Sequence, residues 1–111
     1  MLHVNHHDLK PFLFAGGFGL EKESLRIDEN GFLSQTDHPF PGDPNIVRDF
    51  SENQTEINTS VCASAKEALN ELSCHYLRIQ KKLHDLPQRE YLWPFSNPPY
   101  IRSEKDIPVA R

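Results

Sequence analysis

The sequence predicts an α+β fold: an antiparallel sheet packed with one long amphipathic helix. Three observations carry the prediction. Residues 18–27 and 54–61 alternate side-chain character with the period of two that a strand imposes. Residues 65–84 repeat apolar side chains at helical spacing. The strands come first and the helix follows, an order that favours an antiparallel sheet with helices segregated from it.

The first strand is read over residues 18–27, after the loosening glycines Gly16, Gly17 and Gly19. Glu21, Glu23, Leu25 and Ile27 share one face; Leu20, Lys22, Ser24 and Arg26 share the other. Asp28-Glu-Asn-Gly31 is a turn signal, with Asn-Gly suited to positive φ, and Phe32-Leu33 starts a return strand, so residues 20–35 read as a hairpin. The prolines at 39, 41 and 44 remove donors and fix φ, which makes residues 38–44 a loop. Residues 45–47 form a short strand or strand entry. In residues 54–61, Glu56 falls on the Gln54/Asn58 face, opposite Thr55, Ile57 and Thr59. Gln, Glu and Asn on one strand face suit a ligand-facing surface better than a core.

The helix over residues 65–84 starts at the N-cap Ser64, with Glu67 completing a capping box. Ala65, Ala68, Leu69, Leu72, Tyr76, Ile79 and Leu83 make its buried stripe, and Pro87 ends the run. Residues 88–111 read as irregular. His3, His6, His7 and the apolar patch at residues 11–14 read as an N-terminal segment covering the sheet rather than as metal ligands. His75 and His84 read as satisfied or solvent-facing. The aromatic run at residues 93–96 reads as a lid that completes the core.

The 111 residues suffice for one ordinary domain, read as residues 1–111. A net charge of −4 argues against a nucleic-acid surface, which needs a basic stripe. No apolar stretch approaches the length needed to span a membrane, and no signal peptide is visible, so the expected location is cytoplasmic. Cys62 and Cys74 fit no CxxC motif and are expected as two free buried thiols, with a disulfide as the alternative.

The candidate chemistry lies in the acidic residues. Glu21 and Glu23 point to one face of the first strand, and a second acidic strand follows, carrying Asp49 and Glu56. Like charges sharing a sheet face repel unless a cation sits between them. Mg²⁺ takes hard oxygen ligands, often one or two carboxylates with waters and substrate phosphates. The alternative is a set of solvated acids on the wet face of a half-exposed sheet. No Walker A loop, G-x-S-x-G elbow, HExxH helix or GxGxxG fingerprint is present.

Four ordered blocks resemble bacterial glutamate–cysteine ligases, with most likeness to the ligase module of the Gram-positive type, including that of the bifunctional glutathione synthetases. The stretch FGLEKESLRID (residues 18–28) resembles their GxE-x-E-xLR strand, and SQTDHP (34–39) their LSxTxHP turn. DFSENQTEINT (49–59) is similar to their DFSE block, and YLWPFSNPP (91–99) to their LWPxSMPP block. Residues 104–111 also fit. Asn97 stands where the family usually has Met, and Arg48 where it often has a small polar residue.

The resemblance implies a curved antiparallel catalytic sheet related to that of glutamine synthetase. It implies ATP-driven joining of the γ-carboxylate of L-glutamate to the amine of L-cysteine through γ-glutamyl phosphate. It assigns Glu21, Glu23, Asp49 and Glu56 as ligands to Mg²⁺ (or Mn²⁺), and Phe50 to the cysteine pocket. The family's module is several times longer, with further ligands and the ATP and glutamate clamps downstream. The chain is therefore expected to be an N-terminal fragment of the catalytic module, incomplete for catalysis alone. The alternative is a non-catalytic module that binds metal or nucleotide, or that forms a homodimer through exposed sheet edges.

Overall fold

The computed structural model describes residues 7–13 and 15–110. Among these residues four strands form one antiparallel sheet: β1 (Glu21–Asp28), β2 (Ile46–Val47), β3 (Gln54–Asn58) and β4 (Glu90–Leu92), in the order β2-β3-β1-β4. One α-helix among them, α1 (Ala65–His84), packs on the sheet. The architecture is the expected α+β.

β3 shows why the alternation was readable. Thr55 and Ile57 are buried, while Gln54, Glu56 and Asn58 face partly into solvent. Ile57 joins Ile46, Ile79 and Leu83 in the core, where the sheet meets α1. Phe40, Leu72, Tyr76, Leu86 and Leu92 pack around these four. Burying each large aliphatic side chain contributes about 1.5–3 kcal/mol.

α1 has the predicted limits. Ser64 Oγ accepts the Glu67 N–H, and the Glu67 carboxylate reaches back to the Ala63 N–H. Lys81, Lys82 and His84 sit in the last turn, where positive charge complements the helix dipole. The buried stripe is narrower than expected. Ala68, Ile79 and Leu83 are buried, but Ala65 and Leu69 are exposed.

Other expectations are corrected. The return strand at Phe32-Leu33 shrinks to one bridge, Ile27 with Leu33. β3 already occupies that side of β1 as far as Leu25, which leaves little room for a longer ladder. Gly31 has positive φ at 83°, but Asn30 does not; instead the Asp28 carboxylate accepts the N–H groups of Asn30 and Phe32. Residues 88–111 are not wholly irregular, because β4 pairs with β1 and a 3₁₀ turn covers Glu104–Asp106. Asp49 and Phe50 precede β3 rather than belonging to it. Both thiols are free, but Cys62 is half-buried and Cys74 exposed.

At the N-terminus a 3₁₀ turn spans His7–Phe12. Leu9, Phe12 and Leu13 are exposed, so this patch is not buried against the sheet. His3, His6 and Phe14 lie outside the described residues. Among the described residues, no helix is long and apolar enough to cross a membrane.

Candidate functional site

β1 and β3 bring two acids face to face: Glu23 lies directly opposite Glu56 in the antiparallel register. Like charges in that position destabilise a strand pair. Asp49 joins them from the turn between β2 and β3. Carboxylate oxygens of Glu23, Asp49 and Glu56 lie within 4.8 Å of one another. Glu23 and Asp49 are exposed and Glu56 is half-buried. Three hard oxygen donors at this separation suit a divalent cation such as Mg²⁺ or Mn²⁺.

Glu21 is on the same face of β1, opposite Asn58, but does not belong to this group of three. Phe50 follows Asp49 and is 79% exposed. Its backbone N–H donates to Gln54 Oε1 at 3.2 Å, and Gln54 Nε2 donates to Glu23 Oε2 at 2.9 Å.

The aromatic run at residues 93–96 does not behave as a lid over the core. Phe95 is 63% exposed. Trp93 and Phe95 meet edge to face, and Trp93 Nε1 donates to the Asn97 carbonyl. With Glu23, Gln54 and Pro98 they line an open cleft of about 360 Å³ beside the acidic group. Its lining mixes the apolar Leu25, Trp93 and Phe95 with the polar Ser24, Gln54 and Asn97, which suits a small polar ligand with an apolar part.

Sequence reasoning missed the charged group on the opposite face of β1. Arg26 is fully buried. Its Nη1 donates to Glu90 Oε2 at 2.6 Å, Thr36 Oγ1 at 2.8 Å and Ser34 Oγ at 3.4 Å. Its Nη2 donates to the carbonyls of Thr36 at 2.9 Å and Glu52 at 2.8 Å. Glu90 Oε1 in turn accepts the hydroxyls of Ser34 and Thr36. A buried guanidinium needs partners of this kind; Nη1 and Nη2 have them, while Nε has none among the described residues. The network ties the SQTDHP turn, the DFSEN turn and β4 to the central strand, and so fixes the frame from which Asp49 and Glu23 project.

Arg48, immediately before Asp49, pairs through its Nη1 with Glu52 Oε1 at 3.3 Å. The buried His38 is held in the same region: its N–H donates to Glu52 Oε1, and its Nε2 bonds the Ile46 carbonyl. Burial pushes the His38 imidazole below the ordinary histidine range, and the positive charges of Arg26 and Arg48 add to that.

The family model for glutamate–cysteine ligase matches residues 1–111. A bifunctional glutathione biosynthesis protein of Listeria welshimeri is 40% identical over 92% of this chain, which spans 13% of that protein. The glutamate–cysteine ligase of Clostridium acetobutylicum is 40% identical over 89% of the chain and 21% of its own length. The crystal structure of a bifunctional glutathione synthetase from Pasteurella multocida superposes with a TM-score of 0.80 at 34% identity, covering 100% of this chain and 16% of that one. The glutamate–cysteine ligase of Francisella tularensis, solved in complex with AMP, gives 0.68 at 30% identity over 83% of this chain and 19% of its own. The chain thus spans about a fifth or less of these relatives, and it belongs to the glutamate–cysteine ligase family.

Proposed function

We propose that this chain supplies part of the cation site of an ATP-dependent ligase, one that joins the γ-carboxylate of L-glutamate to L-cysteine in the first step of glutathione biosynthesis. In this reading residues 1–111 are one domain, the N-terminal part of the catalytic module, acting in the cytoplasm. The observation that carries it is the convergence of Glu23, Asp49 and Glu56 from two strands and a turn, with oxygens within 4.8 Å of one another. The donor set is all carboxylate, and the pair Glu23 and Glu56 is unfavourable without a positive charge between them. Mg²⁺ (or Mn²⁺) fits these residues.

When bound, the metal would neutralise charge on the transferring phosphoryl group of ATP. Glu23, Asp49 and Glu56 hold the cation, and Glu21, on the same face, adds a fourth carboxylate toward it or its waters. Phe50 offers an exposed ring to the apolar part of cysteine.

The test places this chain into the Clostridium acetobutylicum ligase in place of the matching segment. ADP release that depends on glutamate and cysteine is expected, as is its loss in Glu23→Gln, Asp49→Asn and Glu56→Gln. A folded chimera without turnover, or one indifferent to these substitutions, overturns the reading. The 111-residue chain alone is expected to show no turnover.

A second reading, a self-associating module, is favoured by the exposed apolar side chains Val61, Leu69 and Leu77 at and near α1. Light scattering decides it: a monomer at high concentration removes this reading.

A further inference from the structure

We propose that Gln54 is a positioning residue of the acidic group: its amide ties the Asp49–Phe50 turn to the Glu23 carboxylate and holds donors from turn and strand together. The inference rests on the cation reading above and adds to it a residue that reading does not use. Gln54 opens β3, two positions before Glu56 on the same face. Its Nε2 donates to Glu23 Oε2 at 2.9 Å, and its Oε1 accepts the Phe50 N–H at 3.2 Å. The two partners fix the amide's orientation. A carboxylate only accepts and a backbone N–H only donates, so the flipped amide loses both bonds.

The geometry has a direct consequence for the donors. An exposed glutamate on a strand surface samples several rotamers, and Asp49 sits on a turn outside the sheet. Gln54 restrains both at once, Glu23 directly and Asp49 through the adjacent Phe50 amide. The single hydrogen bond from the amide leaves the Glu23 carboxylate further lone pairs for a cation. Hydrogen-bond partners of ligating carboxylates change metal affinity by roughly 10- to 100-fold when removed.

The test is titration of the chain with Mn²⁺, followed by the electron paramagnetic resonance signal of the free ion, in the parent, Gln54→Met and Gln54→Asn. Gln54→Met keeps the length and removes both hydrogen bonds. Gln54→Asn keeps a polar amide too short to span both partners, and it covers the case in which the apolar variant folds poorly. Both variants are expected to lose roughly 10- to 100-fold in Mn²⁺ affinity. Hydrogen exchange at the Phe50 amide should quicken, while the thermal midpoint in EDTA stays near that of the parent. Equal Mn²⁺ affinity in parent and variants, with binding abolished by Glu23→Gln, overturns the role of Gln54 and leaves the cation reading standing. A fall in the EDTA midpoint large enough to account for the lost affinity also overturns it, since Gln54 would then be only structural. A parent chain that binds no Mn²⁺ overturns this inference, while the cation reading is decided separately by the chimera.

Discussion

β1 carries charges of opposite fate on its two faces. Arg26 is buried and meets a carboxylate, two hydroxyls and two carbonyls. Glu23, three residues earlier, faces another glutamate across the strand pair and an aspartate from a turn. The interior charge is paired with Glu90 inside the protein, although its Nε has no partner among the described residues. The surface charges are gathered together by the same fold and left with an excess of negative charge. Buried ion pairs do not tolerate the loss of a partner, whereas a like-charge group costs stability until something positive arrives. The contrast separates what holds this domain together from what it offers to a ligand.

The largest effect is expected on the buried side. Arg26→Met leaves Glu90 buried with its charge unpaired, and should cost roughly 3–5 kcal/mol of unfolding free energy by urea titration. Adding Glu90→Leu removes the stranded charge and should recover part of that loss. Recovery stays incomplete, because the Ser34 and Thr36 hydroxyls and the Glu52 carbonyl lose partners, and an unmet buried group costs about 1–3 kcal/mol. A single substitution costing no more than an average surface change would break the comparison.

A smaller, pH-dependent effect is expected at His38, which lies between the two regions. Its folded-state pKa is lowered by burial, so the unfolded chain takes up the proton first as pH falls. The stability contributed by neutral His38 is therefore complete above the ordinary histidine range, and is lost as pH falls through that range toward the lower folded value. Urea midpoints at about pH 7.5 and about pH 5 should differ in that direction, and the difference should shrink in His38→Gln. A midpoint that rises on acidification would contradict the burial of this ring.

Much of the fold was legible because the signals were local. The Ser64 cap, the helical period of α1 and the alternation of β3 each reside within one segment, and the structure follows them. The acidic residues were legible as a face, since side-chain alternation places Glu21 and Glu23 together. What escaped was set by distant parts of the chain. Nothing in its own segment marks Arg26, which shares its face with Lys22 and Ser24, as a buried charge; its partner Glu90 lies 64 residues on. β4 is three residues long, next to a proline-rich run, and only its pairing with β1 reveals it. Leu69 has the right helical phase for the core, yet it is exposed. Asp49 reaches the acidic group from a turn, where strand periodicity says nothing about direction.

The smallest effect sharpens the comparison most, because its sign is opposite. Glu23→Gln removes one of two carboxylates that face each other across β1 and β3, while preserving shape. Without metal, relief of cross-strand repulsion should stabilise the fold by roughly 0.2–1 kcal/mol. Part of this gain is offset, because a hydrogen bond from Gln54 to a neutral amide is weaker than one to a carboxylate. Glu56→Gln should behave alike, and the double variant should gain less than the sum of the two, since the second substitution has no facing charge left to relieve. Added Mg²⁺ or Mn²⁺ should raise the thermal midpoint of the parent and leave Glu23→Gln nearly unmoved. A glutamine variant that is less stable than the parent in EDTA would mean that these carboxylates serve the fold as Arg26 does, and the division between the two faces of β1 would fall.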